Sequence, residues 1–61
     1  MKTSQFVKML IKAGCTIDRH GAGHDLWYSP ITGKKEVVPR HGSKELGTGL
    51  YRKLLKNLLG Q

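Results

Sequence analysis

The chain has 61 residues, 11 Lys and Arg against four Asp and Glu, and a formal charge of +7. That length allows one domain, spanning 1–61, with a thin core, because a chain this short buries only about 60% of its extended surface. With Cys15 as its lone cysteine it has no internal disulfide and no cysteine-rich zinc site. No apolar run approaches the ~20 residues of a membrane-spanning helix, nothing resembles an export signal, and no run of six like charges marks a disordered basic tail.

A first helix is expected from Thr3 or Ser4, whose side-chain oxygens can accept an orphan N–H at its start. Phe6, Met9, Leu10 and Ala13 recur at helical spacing as one apolar stripe, which Val7 and Ile11 widen. Lys8 and Lys12 lie nearer the wet side, and Gly14 stops the helix. A short strand follows, in which Thr16, Asp18 and His20 alternate with Cys15, Ile17 and Arg19. Gly21-Ala22-Gly23 makes a tight or bulged connection. Beyond it His24, Leu26 and Tyr28 share one strand face and Asp25, Trp27 and Ser29 the other.

Pro30-Ile31-Thr32-Gly33 reads as a second turn, since proline presets φ and glycine permits positive φ. Lys34 to Val38 form a third strand, ended by Pro39, which has no N–H for a ladder bond. Ser43 is placed to cap a helical turn around Glu45 and Leu46. The last helix starts from Gly47 or Thr48. Leu50, Leu54 and Leu58 run beside Tyr51, Leu55 and Leu59 as a wide stripe, with Arg52, Lys53 and Lys56 outside it and Gly60 at the end. The order is α-β-β-β-α in the α+β class. Tight turns leave no room for a parallel crossover, so the three strands form an antiparallel sheet. Neither helix can bury its stripe alone, and laying both on one face of the sheet solves that.

The positive balance attracts nucleic acid, acidic protein or anionic lipid. Within it, His24 stands in a glycine-flanked turn that a substrate backbone can approach closely. A free imidazole titrates near pH ~6.5, so both protonation states are accessible. Such a group can take a ribose 2′-hydroxyl proton or protonate a leaving 5′-oxygen, with neighbouring cations stabilising the transition state. That route needs neither metal nor cofactor. Lys2, Lys8 and Lys12 are candidate phosphate contacts, with Arg52, Lys53 and Lys56 on the last helix weighed in the same way; Gly23 lets the substrate approach, and Trp27 or Tyr28 can stack on an unpaired base. His20, His24 and His41 match no strong zinc spacing. The competing readings are a non-catalytic RNA-binding module and a purely protein-binding partner.

The chain resembles the HicA family of bacterial toxins, also described as YcfA-like proteins. The resemblance rests on Lys12-Ala13-Gly14, on Gly23-His24 leading to Tyr28, on Val38-Pro39-Arg40-His41, and on Glu45-Leu46-Gly47-Thr48-Gly49-Leu50 followed by Leu54-Leu55-Lys56. It implies a fold like the double-stranded RNA-binding domain and a small ribonuclease acting on mRNA in the cytoplasm. It also implies His24 as catalytic residue and a HicB antitoxin covering the active site. Pro39 and His41 are then structural or antitoxin-facing, and Thr48 marks the start of the last helix. The family usually carries serine before its histidine; Gly23 here removes a hydroxyl able to orient substrate or cap the turn.

Overall fold

The computed structural model describes residues 1–61 as α1 (Thr3–Lys12), β1 (Thr16–His20), β2 (His24–Tyr28), β3 (Lys35–Pro39) and α2 (Thr48–Leu59). Both helices follow from their apolar stripes. Phe6 and Leu10 of α1 are fully buried with Val7, Met9 and Ala13 packed around them, while Ile11 stays exposed. Leu54, Leu58 and Leu59 of α2 are buried and Leu50 lies at the wet N-terminal turn. The Phe6 and Tyr51 rings meet edge to face, centroids 5.8 Å apart, and join the two helices.

The strands form an antiparallel sheet in the order β1-β2-β3. Residues directly opposite one another share a face. Ile17, Trp27 and Glu36 therefore point the same way, as do Asp25 and Val38; Tyr28 with Lys35, Leu26 with Val37 and His24 with Pro39 point the other way. Trp27 and Val38 join both helix stripes and the buried Cys15 in the core. Both helices thus lie on one face and the other is open, the arrangement of a double-stranded RNA-binding domain. No helix is long and apolar enough to cross a membrane.

Several local expectations give way to tertiary contacts. Lys2, not Thr3 or Ser4, takes the N-cap position of α1 with no side-chain capping bond, its N–H donating to Gln5 Oε1; Thr3 is buried and its Oγ1 donates to the Lys44 carbonyl at 2.8 Å. No helical turn forms around Glu45 and Leu46. Glu45 pairs with Lys2 in an isolated antiparallel bridge and holds the N-terminal ammonium at 2.6 Å, while the Leu46 N–H donates to the Met1 carbonyl. One isolated turn has a costly nucleus, and this pairing satisfies the same backbone groups. Gly47 takes the cap position of α2 in extended conformation without a side-chain bond. β3 runs one residue later than expected and includes Pro39, which an edge strand tolerates.

The largest departure is in β1. Ile17 pairs with Trp27 and Arg19 with Leu26, so a bulge at Asp18 reverses the alternation. Arg19 is thereby moved off the face of Ile17 and onto that of His24, while His20 joins Asp25. β2 has no such irregularity. Its plain alternation puts Trp27 in the core at 5% exposure and leaves Tyr28 outside at 37%. The expectation that Trp27 stacks on substrate is therefore corrected: the core needs its apolar bulk, and no base can reach it.

Candidate active site

His24 opens β2 immediately after the first turn. The Gly21 N–H donates to the His24 carbonyl at 2.8 Å and closes the hairpin. Gly23 sits at φ +76°, a left-handed conformation that side-chain-bearing residues resist. The His24 ring lies against Gly21: a Cβ there would stand 3.0 Å from Nε2 and 3.1 Å from Cδ2. Glycine at that position is what lets the ring take this place.

Arg40, just past β3, holds the turn from the side. Its N–H donates to the Gly23 carbonyl at 3.1 Å, and its Nη2 donates to the carbonyls of Gly21 and His24. The same guanidinium donates through Nη2 (2.7 Å) and Nε (3.2 Å) to Oδ1 of the buried Asp25, which also meets His20 Nδ1 at 2.8 Å. The Arg40 bonds, and then the His20 bond, hold the Asp25 carboxyl below the usual carboxylate range; Asp25 raises the Arg40 guanidinium in return. The exposed His24 thus stands on a turn held by one residue: the Arg40 guanidinium fixes the Gly21 and His24 carbonyls and the Arg40 backbone N–H fixes that of Gly23.

A cleft of about 450 Å³ opens beside the free edge of β3. Gly23, His24 and Pro39 line its sheet side, and Lys44, Leu50 and Lys53 its far side. Lys53 is 3.6 Å from Glu36, which also accepts from Asn57. Each of the four carboxylates is held by a cation: Asp18 by Lys35, Asp25 by Arg40, Glu36 by Lys53 and Glu45 by the N-terminus and Lys2. Lys44 in the cleft and Arg19 on the open face have no carboxylate partner, so they are available to an anion. The arrangement can do proton transfer at His24 next to a phosphate held by lysine.

Residues 3–58 match the family described as the HicA toxin of bacterial toxin-antitoxin systems. The chain belongs to the HicA toxin family. A relative named Probable mRNA interferase HicA, from Pseudomonas fluorescens (strain Pf0-1), is 34% identical over 58 residues, which cover 95% of this chain and 93% of that protein. No solved structure gives a significant match.

In this HicA-family chain, His24, Gly23 and Pro39 come together as neighbours in the cleft. Lys2 does not join them; its Nζ donates to the Ser43 carbonyl at 3.3 Å and lies 4.0 Å from Glu45. Lys8 and Lys12 are exposed on α1 and do not line the His24 cleft, and Lys12 borders a separate hollow with Met9, Ile31 and Leu59. His41 is exposed in the following loop, where its carbonyl accepts the Lys44 N–H at 3.1 Å, and Thr48 is the exposed first residue of α2. Sequence reasoning weighed Lys53 only as one of three cations on the last helix, and it missed Lys44 and the Asp25–Arg40 brace. Arg40 was within reach, because it lies between Pro39 and His41 in a segment already singled out. Nothing in the linear pattern says that the start of α2 turns toward His24.

Proposed function

We propose that this toxin is an endoribonuclease that cleaves mRNA, with His24 as its general acid–base residue. The observation that supports this most is the exposed imidazole on a braced turn at the head of a cleft lined by Lys44 and Lys53. The relative's name, an mRNA interferase, points to the same substrate. His24 takes the proton of a ribose 2′-hydroxyl, and the 2′-oxygen attacks phosphorus. The P–O5′ bond breaks and the departing 5′-oxygen takes the proton back from His24, directly or through a water, leaving a 2′,3′-cyclic phosphate and a free 5′-hydroxyl. Lys44 stabilises the charge that builds on the phosphorane oxygens. No step of this route needs a metal ion. An antitoxin of the HicB kind, laid over the cleft, would stop the reaction by excluding RNA.

The test compares the purified chain with His24→Ala on single-stranded RNA, with and without chelator. Loss of about 10²–10⁴-fold in rate in the variant, chelator-resistant cleavage and cyclic phosphate ends are the expected results. Equal rates would remove His24 from the mechanism, and 5′-phosphate ends would point to metal-assisted hydrolysis. Tight, salt-dependent binding to duplex RNA without turnover would instead identify a binding module.

A further inference from the structure

We infer that the open face of the sheet is the substrate platform, on which Tyr28 stacks a base and Arg19 holds a phosphate of single-stranded RNA leading away from His24. This rests on the ribonuclease reading above and names how that site takes its substrate.

Three observations carry it. First, His24, Leu26 and Tyr28 alternate along one face of β2, and both helices pack on the other. A rise of about 3.3 Å per residue puts Tyr28 roughly 13 Å from His24, a span of a few nucleotides. Second, Tyr28 is the one well-exposed aromatic ring in the chain. Phe6 and Trp27 are in the core, and Tyr51 is half-buried against Phe6. A ring at 37% exposure with a neighbouring apolar surface, here Val37 at 46%, is what base stacking needs.

Third, the bulge at Asp18 supplies the charge. Arg19 is directly opposite Leu26, hence a diagonal neighbour of both His24 and Tyr28, roughly 7–8 Å from each along the face. It has no carboxylate partner, and the one acid reaching this side, Asp18, is held by Lys35 at 3.3 Å. The order along the strand is therefore imidazole, cation, aromatic ring. A ribose–phosphate chain has the matching order when its cleaved linkage is at His24, its next phosphate at Arg19 and a splayed base at Tyr28. A duplex, whose bases are paired and stacked inward, offers Tyr28 nothing to stack on.

The experiment measures cleavage of single-stranded oligoribonucleotides, lengthened one nucleotide at a time from a dinucleotide. Wild type should show a step in kcat/KM of about tenfold at the length that reaches Tyr28, carried by KM. Tyr28→Phe should keep the step and Tyr28→Ala should lose it. Binding of a non-cleavable 2′-O-methyl oligonucleotide gives a second readout. Tyr28→Ala should weaken it about tenfold, and Arg19→Gln should reduce the salt slope by about 0.7. A step that survives in Tyr28→Ala would overturn the inference, as would equal loss on the dinucleotide and the long RNA, or equal binding of a duplex. If wild type binds as described and cleaves nothing, the catalytic reading fails while the platform stands. If His24→Ala abolishes cleavage and Tyr28→Ala changes neither binding nor the step, only the platform fails.

Discussion

The two faces of the three-stranded sheet carry residues of similar type to opposite ends. On the covered face Trp27 and Val38 are at 5% and 0% exposure, sealed by Phe6, Leu10, Leu54 and Leu58. On the open face, one residue along each strand, Tyr28 and Val37 are exposed beside Arg19 and His24. A chain this short can fill one side of a sheet and no more. Stability is concentrated on that side, which leaves the other free to hold reactive and sticky side chains. The two sides are linked at the turn, where Asp25 from the covered face anchors Arg40 and Arg40 holds the carbonyls around His24.

The comparison breaks most visibly at the neighbouring aromatics. Trp27→Ala should cost about 3–5 kcal/mol and unfold much of the population at room temperature, whereas Tyr28→Ala should stay within about 0.5 kcal/mol of wild type. Chemical denaturation with circular dichroism reads both, and equal effects would mean that the register assigned to β2 is wrong. Next in size is Gly21→Ala. The new methyl would stand 3.0 Å from His24 Nε2 and 3.0 Å from the His24 carbonyl. The ring has to move, so RNA cleavage should fall steeply while the fold persists, and a variant of full activity would show that the ring's position over Gly21 is irrelevant.

Asp25→Asn should lower both melting temperature and cleavage, by less than His24→Ala lowers cleavage, because Arg40 loses its charged anchor. The sign with pH follows from the lowered Asp25 carboxyl. Its stabilisation is complete above the unfolded carboxyl value, about 3.9, and is lost as pH falls through the lower folded value. The gap in melting temperature between wild type and Asp25→Asn should therefore be constant near neutrality and close only in strong acid. A gap that narrows well above the ordinary carboxylate range would mean that the Asp25 carboxylate is not what anchors Arg40.

A milder effect than that of Trp27→Ala is expected at Gly23. Gly23→Ser forces a side chain into φ +76°, at a cost of about 1–2 kcal/mol. Nothing stands within 4 Å of the added Cβ, so the penalty is one of backbone conformation and not of space. Thermal melting checks it, and an unchanged midpoint would mean the turn relaxes to another shape.

Much of this molecule was legible in the chain itself. The stripe from Phe6 to Ala13, the leucine rows of α2 and the breaks at Gly14 and Gly60 reappear nearly as read. So does the turn before His24. The errors cluster where a distant partner intervenes. Thr3 gives its hydroxyl to Lys44 instead of capping its helix, and Glu45 meets Lys2 and the N-terminus instead of starting a turn. In the candidate site, His24, Gly23 and Pro39 were singled out from sequence because they flank turns, and they line one cleft. That Lys44 and Lys53 face them across it, and that Asp25 braces the turn through Arg40, was not legible, because only folding brings these residues together.

Element order, the net positive charge and the glycine-bound imidazole were determined by sequence alone, since each depends on composition or on residues within about four positions of one another. Which cations stand free, and which side of the sheet Arg19 and His20 occupy, was decided only by the tertiary structure. Charge pairing joins residues as far apart as 44 positions, and a single extra residue in a strand reverses the face of everything after it.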